Sequence, residues 1–260
     1  MLALFRLDGR NAVVTGASRN MGRAIALAIA DAGADVAVVD LPSEADAASG
    51  TVAAIEARRR RSAFVALDIR DVAAIPPAVG EIEARLGPIH VLVNNAGKTD
   101  DVPTPVVGYE EDVFDDHQQI MVRGTFFVSQ AVARRMIELG TRGTMVNVAS
   151  RLGVQLRPNA SAYSIAKAGV VHMTRLMALE LGPHGIRVNA IGPGPIPRTG
   201  AAGRSRRAPA NGPLAPFLLG RELRFDDIPA TVVYLASDAS RMVTGQLIVI
   251  DGGLGLQGPV

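Results

Sequence analysis

Ala12-Val13-Val14-Thr15-Gly16-Ala17-Ser18-Arg19-Asn20-Met21-Gly22-Arg23-Ala24-Ile25 carries the pattern from which the architecture follows. It opens as an unbroken apolar run and turns on Gly16. It then continues with apolar residues at helical spacing, Met21, Ile25, Ala28, Ile29 and Ala32, until Gly33 stops it. A buried strand feeding an amphipathic helix through a glycine turn is the first half of a βαβ unit.

Outward from this stretch the same rhythm repeats. Val36–Val39, Ala63–Leu67, Val91–Val93, Met145–Val148, Arg187–Ile191 and Leu247–Ile250 read as fully buried strands, because they show no polar alternation. Helix-period segments lie between them, the longest carrying Ile165, Gly169, Val170, Met173, Leu176 and Met177 on its expected inner face. Strand–helix alternation of this kind predicts an α/β fold, a doubly wound parallel sheet of about seven strands with helices on both faces. No repeat or linker divides residues 1–260, so one Rossmann-type domain is expected.

One connection breaks the rhythm. Gly192 to Gly220 holds six Gly, six Pro and four Arg, with no Asp or Glu, and reads as a mobile substrate lid over 192–220.

The first turn also suggests a ligand. Gly16 permits the tight exit from the strand, and Gly22 lets the helix approach closely. The free N–H groups and positive dipole end of the helix would face a pyrophosphate. Glycines alone do not separate this from a plain strand–helix turn; their place between buried strand and amphipathic helix favours a dinucleotide. Asp40 ends the second strand, 18 residues after Gly22. A carboxylate there can accept both hydroxyls of the adenosine ribose and repels a 2′-phosphate, which favours NAD over NADP. Arg19 pulls the other way, since a cation beside that ribose could hold the phosphate, so NADP stays open.

Composition narrows the remaining classes. The chain has no cysteine, which rules out disulfides and thiolate chemistry and suits a cytoplasmic location. No secretory signal is visible in Met1–Asp8, and no run of about 18 or more apolar residues predicts a membrane span. The net charge is only +2, without the dense basic stripe of a nucleic-acid binder. Arg58-Arg59-Arg60-Arg61 reads as cations at a helix C-terminus and in solvent, and His90, His117, His172 and His184 show no metal-ligand spacing, so no metal site is expected.

Asn94-Asn95-Ala96-Gly97, Tyr163-Ser164-Ile165-Ala166-Lys167 with Ser150 thirteen residues upstream, Pro193-Gly194, Val243-Thr244-Gly245-Gln246 and Asp251-Gly252-Gly253 follow in order. With the first turn, they resemble the motifs of the short-chain dehydrogenase/reductase family over nearly the whole chain. The resemblance implies hydride transfer between a nicotinamide dinucleotide and a secondary alcohol or ketone. It also implies cofactor contacts for Gly16, Ser18, Arg19, Asn20, Met21 and Gly22, for Asp68 and Ile69 at the adenine, for Asn94, Ala96 and Gly97 at its ribose, and for Pro193, Gly194 and Ile196 at the nicotinamide. Tyr163 and Lys167 would share the second ribose, Asn95 would tie strands together, and a homotetramer would pack through helices near 110–138 and 160–182.

The catalytic chemistry can be argued from the residues. Tyr163 and Lys167 stand at i and i+4, so they share a helix face. A free phenol, with a pKa of about 10, is a poor base at neutral pH. A neighbouring ammonium and the positive nicotinamide ring favour the phenolate. Tyr163 can then exchange a proton with the substrate oxygen while Ser150 hydrogen-bonds that oxygen.

Three positions depart from the family pattern. Asn20 replaces the middle glycine of the loop, although Asn tolerates positive φ. Arg198 stands where the family usually has Thr, with Thr199 displaced by one. Met121 occupies the position of the family's catalytic Asn, keeping a backbone carbonyl but no side-chain amide, which predicts slowed or altered turnover. Two alternatives therefore stay beside the NAD reading: an NADPH-dependent ketoreductase of acyl thioesters, and a dinucleotide-binding sensor or scaffold with impaired turnover. Arg198, Arg204, Arg206 and Arg207, with Arg151 and Arg157, could recruit an anionic substrate, or could simply be solvated.

Overall fold

The computed structural model describes residues 2–99, 103–196 and 217–256. The centre of the predicted lid, including Arg198, Thr199, Arg204, Arg206 and Arg207, lies outside the described residues.

Seven parallel strands form one sheet. They are β1 (Asn11–Thr15), β2 (Asp35–Asp40), β3 (Ser62–Ala66), β4 (Val91–Asn94), β5 (Thr144–Val148), β6 (Arg187–Pro193) and β7 (Leu247–Ile250). The spatial order is β3-β2-β1-β4-β5-β6-β7, every neighbouring pair parallel. The order reverses between β1 and β4, whose register pairs Ala12 with Val91 and Val14 with Val93. In open α/β sheets that reversal opens a crevice beyond the strands' carboxyl ends, where ligands bind.

Helices α1 (Asn20–Asp31), α2 (Ala45–Glu56) and α7 (Pro229–Ala236) cover one face. Helices α3 (Ile75–Leu86), α4 (Glu111–Gln118), α5 (Thr125–Glu138) and α6 (Ser161–Leu181) cover the other. Each face buries its own apolar cluster, the first around Ile25, Ile29 and Val38, the second around Leu92, Val132, Met145 and Val170. Two-sided cover explains why the inner strands are largely apolar and why their polar members are hydrogen-bonded, Asn147 to Thr174 and Asn94, and Asn189 to Val243 and Gln246.

The expectation of fully buried strands fails at the two edges. β3 and β7 each leave residues partly exposed, Val249 to 37%, because an edge strand has a neighbour on one side only. The expected helix faces are also rotated. In α1 the buried residues are Gly22, Ile25, Ala26, Ile29 and Ala30, with Met21 and Ala32 packed at the edge of the same cluster, so Ala28 is not on the inner face. In α6 they include Ala166, Lys167, Val170, Val171, Met173, Thr174 and Met177, while Ile165 and Leu176 point outward, 52% and 46% exposed. Small alanines let both helices settle close to the sheet, and larger apolar side chains on the far side are left over.

The arginine run follows α2 in the loop to β3 and is held by local partners. Arg58 pairs with Asp31 at 2.8 Å and Arg61 with Asp35 at 2.7 Å, while Arg60 donates to the Gly33 carbonyl. Among the described residues no helix is long and apolar enough to cross a membrane.

Candidate active site

The glycine turn after β1 is built by close approach. Gly16 has φ +65°, and a Cβ on Gly22 would come within 2.0 Å of the Gly16 carbonyl oxygen. Asn20 adopts φ +51°, the left-handed conformation a glycine would take, so the substitution keeps the turn. Asn95 locks this turn to the neighbouring strand. Its side-chain amide donates to the carbonyls of Thr15 and Gly16, both at 2.9 Å, and its backbone N–H donates to Thr15 Oγ1. The strand-tying role expected of Asn95 is what these bonds perform.

A cavity of about 990 Å³ runs along the carboxyl ends of the strands, from Asp40 to Ile196. Its wall gathers Gly16, Arg19, Asn20, Met21 and Gly22 from the first turn, Asp40, Asp68 and Ile69 from the ends of β2 and β3, and Ala96 and Gly97 after β4. Ser150, Tyr163, Lys167, Pro193, Gly194 and Ile196 complete it. Residues as far apart as 16 and 196 thus meet in one groove.

Two residues expected at the cofactor are not on that wall. Asn94 is buried, and its amide donates to Ser129 Oγ and Asn147 Oδ1, both at 2.8 Å, so its side chain ties β4 to β5 and α5 instead of facing the ribose. Ser18 is also buried; its N–H donates to Asp40 Oδ2 at 3.0 Å and its Oγ has no hydrogen-bond partner among the described residues. An orphaned hydroxyl under a glycine turn fits a loop shaped to meet an anion's oxygens.

Asp40 accepts from Ser18 with one oxygen and from the N–H of Leu41 with the other, which fixes the carboxylate at the mouth of the turn. Arg19 is not free to act as a phosphate partner, because its guanidinium is ion-paired to Glu44. Further along, Arg70 pairs with Asp68 and Asp116, and Lys98 with Asp116 at 2.6 Å, so the loops after β3 and β4 are laced to α4 beside Ile69. The Arg70 guanidinium holds the Asp68 carboxyl below the usual carboxylate range, and Lys98 does the same for Asp116. Sequence reasoning missed Glu44, Lys98 and Asp116. Their partners lie 18 to 46 residues away, where no periodicity points.

At the other end, Ser150 closes β5 and caps a single 3₁₀ turn (Arg151–Gly153), its Oγ accepting from the Leu152 N–H at 3.2 Å. Tyr163 and Lys167 sit on the first turns of α6, with Lys167 Nζ 5.7 Å from the centre of the Tyr163 ring. Lys167 is buried and donates to the Val148 carbonyl at 2.7 Å; burial pushes its pKa down to about 8. Gly97 and Gly194 leave room in the wall. A Cβ on Gly97 would sit 3.7 Å from Met121 Cγ and 3.8 Å from Lys167 Nζ, and one on Gly194 would strike Asp251 at 2.9 Å. Met121 is fully buried within a π-helical segment (Gln119–Gly124) that joins α4 to α5. Such segments are frequent at functional sites.

A glycine turn after β1, a fixed carboxylate at the end of β2 and a Ser–Tyr–Lys group in one groove are the arrangement of a dinucleotide-dependent oxidoreductase of the doubly wound type. A family profile described as enoyl-(acyl carrier protein) reductase matches residues 16–255, and the chain belongs to the short-chain dehydrogenase/reductase family. It is 37% identical over 250 residues to the D-threitol dehydrogenase of Mycolicibacterium smegmatis, covering 96% of this chain and 94% of that one. Carveol dehydrogenase from Mycobacterium avium in complex with NAD superposes with a TM-score of 0.88 at 28% identity, over 97% of this chain and 99% of that one. A gluconate 5-dehydrogenase from Burkholderia cenocepacia in complex with NADP and tartrate gives 0.87 at 30%, over 98% and 99%. The protein is an NAD(P)-dependent oxidoreductase that moves hydride between the dinucleotide and an alcohol or ketone.

Proposed function

We propose that the protein oxidises a secondary alcohol of a small polyhydroxylated compound with NAD, and reduces the matching ketone in reverse. The observation that carries this reading is the meeting of Ser150, Tyr163 and Lys167 with the glycine turn on one cavity wall. When bound, the nicotinamide supplies the hydride acceptor. Tyr163 takes the hydroxyl proton as the carbinol carbon loses hydride, and returns it in the ketone direction. Ser150 donates to the oxygen on which charge develops. Lys167, charged below pH of about 8, favours the phenolate and has the reach to hold ribose hydroxyls. The sugar-alcohol and sugar-acid names of the relatives make polyols the first substrates to try.

NAD is preferred because Asp40 stands where the adenosine ribose is expected and Glu44 neutralises Arg19, the arginine of the first turn. The fluorescence of nicotinamide on titration with NADH and, separately, NADPH tests this; NADH is expected to bind at least about tenfold tighter, or about 1.4 kcal/mol. Tighter NADPH binding would promote the ketoreductase reading. One observation favours a second reading: buried Met121 in place of an amide suits a cofactor-binding sensor with little turnover. Loss of polyol oxidation in Tyr163→Phe, with NADH binding intact, would decide for the enzyme.

We also infer a cytoplasmic homotetramer. Exposed Phe126 on α5 and Ile165, Leu176 and Leu179 on α6 form apolar surface that assembly would cover. Light scattering on the eluting protein reads the mass directly.

A further inference from the structure

The cavity is electrically lopsided. Its adenosine end carries Asp40, Glu44, Asp68 and Asp116, the last three ion-paired to Arg19, Arg70 and Lys98. Its reaction end is walled by Ser150, Arg151, Leu152, Arg157, Tyr163 and Lys167, and no carboxylate lines that end among the described residues.

Arg151 follows Ser150 directly and is half-buried. Its one hydrogen-bond partner among the described residues is Gln155 Oε1, at 2.8 Å, and it makes no ion pair there. Burial holds its pKa below the usual guanidinium value; Asp251 pulls it back up in part, and the charge of Arg157 adds a smaller downward push. Asp251 is committed elsewhere: its two oxygens accept from the N–H groups of Gly253 and Gly255, at 3.0 and 2.8 Å, and it does not line the cavity. Arg151 is half-buried and Arg157 exposed on the same cavity wall, so an anion between them would meet one partly desolvated guanidinium, whose fork matches a planar oxyanion, and a second positive charge at the rim.

We propose that Arg151 and Arg157 form an oxyanion subsite beside Ser150 and Tyr163, so that the alcohol oxidised here carries a carboxylate or phosphate a few carbons from its reacting carbinol. The proposal rests on the reading of Ser150 and Tyr163 as the reaction centre. Arg151 touches the anion from the wall and Arg157 from the rim, which fixes the substrate at two ends: its oxyanion here, its carbinol oxygen on Ser150 and Tyr163. A neutral polyol of the same length lacks the first anchor.

The complex with NADH is titrated with D-gluconate, D-glucitol 6-phosphate and D-glucitol, following nicotinamide fluorescence, in the native protein and in Arg151→Met, Arg157→Met and Arg151→Lys. At least one anion is expected to bind tenfold or more tightly than D-glucitol, and which of the two does so separates carboxylate from phosphate. The preference should shrink at least fivefold in either Met variant, recover partly in Arg151→Lys, and weaken with added salt, while NADH affinity stays within twofold. Equal binding of all three compounds, or an unchanged preference in both Met variants, overturns the subsite. Failure of the native protein to bind NADH overturns the cofactor reading instead, so the two failures are distinct.

Discussion

Lys167 Nζ donates to the carbonyl oxygen of Val148 at 2.7 Å, from the first turns of α6 to the last residue of β5, with the side chain all but buried in the cavity wall. Its pKa falls from 10.5 to about 8 because the charged form is desolvated. Between those pH values the unfolded chain holds a proton that the folded chain has lost, so stability rises with pH. The native protein should therefore gain on the order of 3 kcal/mol relative to Lys167→Met as pH goes from 7 to 10.5. Denaturant unfolding at several pH values measures the difference, and a flat one would mean the ammonium is solvated.

Glu44 decides what Arg19 can do. Glu44→Gln frees the guanidinium at the ribose end, and NADPH affinity should rise about tenfold, or about 1.4 kcal/mol, with NADH little changed. An unaltered NADPH dissociation constant in Glu44→Gln would leave Asp40 alone responsible for discrimination.

Met121 shares the space beside Gly97 with the Lys167 ammonium. An amide there offers the lysine a polar neighbour and a path for its proton. Met121→Asn is expected to raise kcat several-fold with a polyol and to shift its pH profile. If neither rate nor profile moves, position 121 takes no part in proton transfer.

Two glycines in helical segments should respond in opposite senses. A Cβ on Gly124 would lie 2.8 Å from Ile69 Cγ1 and 2.9 Å from its carbonyl oxygen, so Gly124→Ala must displace a residue of the cavity wall. It should cost about 1–3 kcal/mol and weaken NADH binding. Gly80, inside α3, has nothing within 4 Å of such a Cβ, and Gly80→Ala should stabilise by about 1 kcal/mol. Thermal melts of both variants check the contrast.

The seven strands were readable because a sheet covered on both faces writes itself as apolar runs, and the glycine turn because only its spacing lets helix meet strand. The positive φ of Asn20 was readable too, from what its side chain tolerates. Faces were harder. Ile165 and Leu176 look like core by spacing, yet α6 is apolar on both sides and spacing alone does not say which side meets the sheet. Asn94 was misplaced because adjacent asparagines at a strand end face opposite ways, and the motif does not say which faces the groove. The pairings of Arg19 with Glu44 and Lys98 with Asp116 depend on loop paths that no local pattern records.

On α6, Tyr163 and Lys167 look into the groove while Ile165, between them, looks out. A helix seated on the sheet by Val170, Thr174 and Met177 cannot turn or slide to admit a new substrate without carrying Tyr163 and Lys167 away from the groove. Divergence toward other alcohols is thereby left to the segments that end at this helix or face it, the turn from Arg151 to Ala160 and the stretch after Pro193. The chemistry is inherited on a fixed axle, and selection is free to work only on the rims.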